Sequence, residues 1–135
     1  MADRKAVMAA LRRHVEQAVA TIAVNVTAEL VEATPVDTGW ARANWIPSVG
    51  APVSAPSGSE GSSSTAAQAD GQAEVLGYKL EQGKAYVSNH VPYIRRLNAG
   101  HSKQAPAGFV QVAIAKAIDG VGQDGITARV SGGEP

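Results

Sequence analysis

Apolar residues recur every three or four positions through the N-terminal part of the chain: Val7, Leu11, Val15, Val19, Ile22, Val26 and Leu30. That spacing is one face of an α-helix. Arg4, Lys5, Arg12, Arg13, Glu16 and Glu29 fall largely off the stripe. Asp3 is placed as an N-cap, and neither Gly nor Pro interrupts before Pro35. The pattern predicts one helix from Asp3 to about Ala33, with a kink near Ala20 to Val24 as the alternative. With a rise of 1.5 Å per residue, about 30 residues make a rod of roughly 45 Å. A globule of this chain's length is roughly 35–40 Å across. A helix longer than its own domain overhangs, and an overhanging apolar stripe needs a neighbour.

Beyond the helix the pattern breaks at Thr34-Pro35-Val36-Asp37-Thr38-Gly39, where Pro35 disfavours helix before it and Gly39 allows a turn. Trp40 to Val49 reads as a strand, with Trp45 the expected core anchor and Pro47 marking an edge or an end. Gly50 to about Ser64 is Gly, Ser, Ala and Pro, too poor in large apolar groups to order itself. Thr65 to Leu80 reads as a weaker helix, damaged by Gly71 and Gly77. Lys84 to Asn89 alternates as a strand, Pro92 to Leu97 forms a short helical turn ended by Gly100, and Ala107 to Ile118 is a second good helix. Its stripe is Val110, Ile114 and Ile118, beside Ala113 and Ala117. After Gly120 the chain is Gly-rich, with one apolar alternation from Ile126 to Val130 that reads as a late strand or a loose tail. The expected class is α+β, with the long N-terminal helix and the C-terminal helix on a small, mostly antiparallel sheet. Residues 1–121 form the domain, with a flexible loop at about 50–64, and 122–135 form the tail.

Composition narrows the functions. With 12 Lys+Arg against 12 Asp+Glu the formal net charge is zero, so no global field draws in nucleic acid or an anionic membrane. The distribution is less even: no acid lies between Glu81 and Asp119, while Lys84, Arg95, Arg96, Lys103 and Lys116 do, with His90 and His101. The apolar fraction of 44% permits a core, but an aliphatic one; the aromatics are Trp40, Trp45, Tyr78, Tyr86, Tyr93 and Phe109. Modest stability is therefore expected for an isolated monomer. There is no cysteine, which excludes disulfides, thiol chemistry and Cys-based zinc sites. No run approaches the ~18–20 apolar residues of a membrane span, and no signal-peptide pattern opens the chain. A soluble cytosolic protein with no membrane partner is expected.

Candidate chemistry is thin. Asp37-Thr38-Gly39 is the tripeptide of small dimeric aspartic proteases, where one Asp from each subunit shares a proton. Here it follows a helix and Pro35 instead of leaving an apolar strand, so a helix-to-strand turn is the better reading. His14, His90 and His101 show no metal spacing. No nucleophile-elbow motif supports a Ser–His–Asp triad, and there is no phosphate-binding Gly-rich loop. Arg95-Arg96 with Tyr93 and Lys103 fits phosphate and base contacts, which makes a small nucleic-acid module using residues 84–103 the alternative in a different class. A solvated or protein-interface face accounts for the same residues more simply. No catalytic, cofactor or metal residue is assigned, and the protein is not expected to be an enzyme.

Thr34-Pro35-Val36-Asp37-Thr38-Gly39-Trp40-Ala41-Arg42-Ala43-Asn44-Trp45 resembles a signature of the neck and tail-completion protein family of tailed bacteriophages. Two further blocks agree: Tyr86 to Leu97 (Tyr-Val-Ser-Asn-His-Val-Pro-Tyr-Ile-Arg-Arg-Leu) and Gly100 to Val110 (Gly-His-Ser-Lys-Gln-Ala-Pro-Ala-Gly-Phe-Val). With the helices, the resemblance covers about residues 4–119. It departs at Asn98, where an acid is expected, at Phe109, where Met is common, and at Trp40, where Arg is frequent.

The resemblance implies an α+β subunit of a ring at the head–tail junction of a virion, assembled in the host cytoplasm. Such a ring joins tail to head and passes DNA through its centre; a tail-terminator ring capping the tail tube is the close alternative. A hexamer is the first expectation and twelve copies the second. Connector, head-closure and tail proteins are the expected neighbours, with no sequence-specific DNA binding. The residues implied for the interface and structural motif are Asp37, Thr38, Gly39, Trp40, Arg42, Trp45, Asn89, Pro92, Tyr93, Arg95, Arg96, Gly100, Ser102, Gln104, Pro106 and Gly108. A ring also needs a heterologous, self-closing interface, and the overhanging helix and the Ser102 to Ala107 loop are the candidates for its two halves.

Overall fold

The computed structural model describes residues 3–35, 39–100 and 105–124, the last four by backbone alone. The order is α1 (Arg4–Ala33), α2 (Gly39–Ala43), β1 (Ile46–Val49), α3 (Ala66–Leu76), a 3-10 turn (Leu80–Gln82), β2 (Ala85–Ser88), α4 (Ile94–Asn98) and α5 (Phe109–Asp124). The fold is α+β: helices packed on a two-stranded antiparallel sheet.

The long helix forms as one unbroken element of 30 residues. Asp3 occupies its N-cap without a side-chain capping bond, and Thr34 its C-cap. The buried lane lies one residue along from the large-residue stripe at Glu16, Ala20, Ala23 and Thr27, and meets the stripe itself only at Leu30. Close packing selects small groups there. Thr27 is accommodated because its hydroxyl donates to the Ala23 carbonyl at 2.7 Å. Glu16 is accommodated because its carboxylate accepts the Leu80 N–H at 2.8 Å, at the start of the 3-10 turn. Val19, Ile22 and Val26 are only half-buried, flanking this lane.

Helix α5 runs antiparallel to α1. Its start, Phe109, packs with Ala41, Val91 and Leu97; Ala113 packs with Leu30 and Trp45; further on, Lys116 reaches Glu29 at 3.7 Å. Phe109, Ala113 and Ala117 are buried whereas Ile118 is exposed, so the buried lane of α5 lies one residue before the expected Val110–Ile114–Ile118 stripe, the opposite sense to the shift in α1. The helix also continues past Gly120 to Asp124 instead of stopping there. The Ile126 to Val130 alternation lies outside the described residues.

The expected strand from Trp40 is shorter than the pattern suggests. Residues 39–43 make a turn of helix, α2, and only Ile46–Val49 is extended. The helical turn is favoured because it lets Asn44 N–H return to the Ala41 carbonyl and aims Arg42 at the end of α1. In the sheet, Ile46 faces Ser88 and Val49 faces Ala85. Gly50 N–H donates to the Lys84 carbonyl at 2.8 Å, which sets the parity of the ladder. Hydrogen-bonded pairs alternate, so Ser48/Tyr86 and Ile46/Ser88 exchange bonds while Pro47 and Val49 stand opposite Val87 and Ala85 without them. Pro47 therefore removes no ladder bond.

Helix α3 covers the outer edge of β1. Gly71 faces Pro47 so closely that a Cβ there would collide with the Pro47 carbonyl oxygen. The Gly71 that weakens the helix in isolation is thus what lets it dock. Glu74 of α3 accepts the Val49 N–H at 2.8 Å, which completes that edge. The 50–64 segment contains neither helix nor strand, but Ser57 is hydrogen-bonded to Asn44 and Trp40, so polar bonds to the body place a loop whose composition supplies little apolar anchoring.

Candidate functional site

The first motif block is a joint inside the molecule. Thr34 Oγ1 donates to the Leu30 carbonyl at 2.6 Å and accepts the Trp45 indole N–H at 2.8 Å, so the end of α1 is bonded to the start of β1. Arg42 Nε donates to the Val31 carbonyl at 2.9 Å, placing a cation at the C-terminal end of α1, where the free carbonyls and the helix dipole favour one. Gln68 of α3 donates to the carbonyls of Arg42 and Trp45, at 3.0 Å each.

The same joint holds the long loop. Asn44 is buried, with its Oδ1 accepting the Ser57 N–H at 2.7 Å and its Nδ2 donating to the carbonyls of Trp40 and Ser57. Trp40 Nε1 donates to that same Ser57 carbonyl at 2.8 Å. One loop residue is thereby bonded on both its backbone groups.

The second and third blocks attach to this joint. Asn89 Nδ2 donates to the Ala41 carbonyl at 2.9 Å while its Oδ1 accepts the Val91 N–H. Tyr93 tilts against Trp40, ring centroids 6.1 Å apart. Asn98 Oδ1 accepts the Val110 N–H at 2.9 Å and its main-chain carbonyl accepts the Gly108 N–H at 2.7 Å, so Asn98 satisfies the N-terminus of α5. The Asn at this position is thus a cap for which a neutral side chain serves. Gly100 adopts φ +99° and Gly108 φ +78°, both in the region glycine tolerates best.

The structure therefore brings Gly39, Trp40, Arg42, Trp45, Asn89 and Tyr93 together and turns them inward. Pro92, Arg95, Arg96, Gly100 and Pro106 lie on the surface. Arg95 and Arg96 are exposed on α4 and make no ion pair among the described residues. Asp37, Thr38, Ser102 and Gln104 lie outside the described residues, as does the first half of the Ser102 to Ala107 loop. Thr34, Asn44, Gln68 and Asn98 carry the joint although only the reach of their bonds reveals it. Their one signal in the sequence is a single amide or hydroxyl set among small or apolar neighbours.

The other conspicuous surface is the free half of α1. Burial begins at Glu16; before it, Val7 is 45% exposed, Met8 58%, Leu11 54% and Val15 46%. About a dozen residues, roughly 18 Å of helix, thus project beyond the body. An exposed Arg12–Glu81 ion pair at 3.2 Å is its link to the 3-10 turn. Among the described residues, no group of three or more His, Asp or Glu side chains gathers as a metal site, and no helix is long and apolar enough to cross a membrane. Comparison of the chain with family models, curated proteins and solved structures gives no match.

Proposed function

We propose that the protein is a structural subunit of a tailed bacteriophage that closes into a ring at the head–tail junction, joining tail to head and letting DNA pass. The observation that carries this reading is the exposed row Val7, Met8, Leu11 and Val15 on the projecting half of α1. Large apolar groups repeated along one face of a free helix are covered when a neighbour packs on them. A helix that leaves its own domain and lies on the next copy makes a heterologous contact, and such contacts close into rings when the rotation allows. The three motif blocks support the same assignment, because they resemble a ring-forming neck and tail-completion family. A net charge of zero suits a channel through which DNA must slide, since a strongly basic lining would hold the phosphates. The tail-terminator role is the close variant of this proposal.

The test is the mass of the purified protein in solution, by light scattering after size exclusion, over a range of concentrations. A ring of six or twelve copies supports the proposal. A monomer that stays monomeric when mixed with tail tubes overturns it. If that monomer instead binds DNA with an affinity falling steeply in salt, the basic 84–103 segment is a nucleic-acid surface.

A further inference from the structure

The exposed row on α1 ends where an apolar groove begins. The groove, of about 550 Å³, lies between α1 and β2 and is lined by Val19, Ile22 and Val26 of α1, Ala85 and Val87 of β2 and Ile114 of α5. Each of these side chains is half-buried. Lys84, exposed, is the charged residue at its rim. An amphipathic helix laid in an apolar groove is a recurring way for one chain to hold another.

We propose that this groove receives the row Val7, Met8, Leu11 and Val15 of a second copy of the chain. The inference rests on the proposed assembly through the projecting half of α1, and it names the surface on which that half lands. Length agrees. Val7 to Val15 spans about 12 Å of helix, and the α1 wall of the groove, Val19 to Val26, about 10 Å. Polarity agrees, since both surfaces are aliphatic and neither is covered within one copy.

Charge agrees too. The free half of α1 carries Arg4, Lys5, Arg12 and Arg13 against Asp3, whereas residues 16–33 carry Glu16, Glu29 and Glu32 and no base. The helix is thus basic where it is free and acidic where it forms the wall. Arg4 stands one turn before Val7, and Glu29 one turn after Val26. Glu29 is 33% exposed, and its partner Lys116, at 3.7 Å, is 72% exposed, so this is a loosely held pair with a carboxylate open to a second cation. A helix entering antiparallel to α1 brings its Arg4 to Glu29. Its Arg12 stays with its own Glu81, and its Arg13 lies on the far side of the helix from Leu11.

The packing also gives the contact a direction. Val7, Leu11 and Val15 step by four, and ridges of that step cross at about −50°. Where Leu11 of one copy crosses Ile22 of the other, the incoming copy carries its own groove about 16 Å further along its α1, clear of the first copy. That groove is open to a third copy, so the contacts continue and can close as a ring.

The test is disulfide cross-linking. The chain has no cysteine, so introduced thiols report this contact alone. Leu11→Cys and Ala85→Cys chains are mixed as dilute protein, concentrated and oxidised. In the control, Ala9→Cys, about 160° round the helix from Leu11, replaces Leu11→Cys. The expected yield of mixed disulfide is at least about tenfold above that of the control, because the bond forms only between closely placed side chains. Arg4→Glu in the Leu11→Cys chain should lower that yield, and Glu29→Arg in the Ala85→Cys chain should restore it. A yield indifferent to both charges overturns the antiparallel seating. Protein that light scattering shows to be assembled, yet with mixed disulfide no higher than the control, overturns the groove as receiver and leaves the ring with another contact. A chain that is monomeric and gives no mixed disulfide at any concentration overturns the inference as well, and the ring then turns on the mixture with tail tubes. In the Leu11→Cys, Ala85→Cys double variant, a cross-linked ladder ending at six or twelve copies supports both readings. A product that stops at two supports the groove contact and counts against the ring.

Discussion

The indole N–H of Trp45 donates to Thr34 Oγ1 at 2.8 Å in a fully buried setting, and through it the strand β1 is fastened to the last turn of α1. The hydroxyl accepts from one element and donates to the other, so it is the one atom both share. Thr34→Val keeps the shape but leaves the indole N–H buried without a partner. It is expected to lower stability by about 1–3 kcal/mol. Thr34→Ser keeps the bond and is expected to cost about 1 kcal/mol for the lost methyl group. Denaturant midpoints at unchanged slope check the ranking.

Two glycines in helices should respond to alanine in opposite directions. At Gly71 the new methyl meets the Pro47 carbonyl and separates α3 from β1. The loss is expected to exceed about 2 kcal/mol despite the gain in helix propensity. At Gly120, within α5, a Cβ meets nothing within 4 Å. Gly120→Ala is expected to stabilise by up to about 1 kcal/mol. Thermal melts of the two variants decide this, and a rise in melting temperature for Gly71→Ala would contradict the docking described for α3.

Asn44 should control how firmly the 50–64 loop is held. Asn44→Ala removes the acceptor for Ser57 N–H and the donor to its carbonyl. Stability should fall by about 1–3 kcal/mol, because the Ser57 N–H loses its acceptor, while the Ser57 carbonyl keeps the Trp40 indole N–H. Limited proteolysis should then cut within 50–64 earlier than in the unmodified chain, with sites in α1 unaffected. Cleavage at equal rates would mean that the loop is held by something other than Asn44.

The two halves of α1 should separate stability from assembly. Leu30 is 1% exposed, and Leu30→Ala is expected to cost about 2–5 kcal/mol. Leu11 is 54% exposed, and Leu11→Ala should change monomer stability by no more than about 0.5 kcal/mol. If the projecting half is the ring contact, Leu11→Asp loses the assembled species in light scattering while its melt stays that of the monomer. An assembly indifferent to Leu11→Asp would move the contact elsewhere.

Local pattern alone specified the existence and kind of most elements: the unbroken α1, the absence of helix and strand in 50–64, the β2 strand, the turn after Pro92 and the C-terminal helix. Each depends on period, on proline and glycine, or on β-branched alternation, which act within a few residues. The lane that faces inward was decided by tertiary packing. A helix period identifies the greasy side of α1, but the close approach of α5 and the sheet rotated burial onto Ala20, Ala23 and Thr27, where small groups fit. Tertiary contact likewise made Gly71 a docking residue, turned residues 39–43 into helix, and gave Asn44, Asn98 and Gln68 partners 12 to 26 residues away. No spacing rule reaches that far, because a side-chain amide binds whichever backbone group the fold brings within 3 Å. The overhang of α1 lay between the two: its length was legible from the sequence, while only the folded body showed that the free row begins before Glu16.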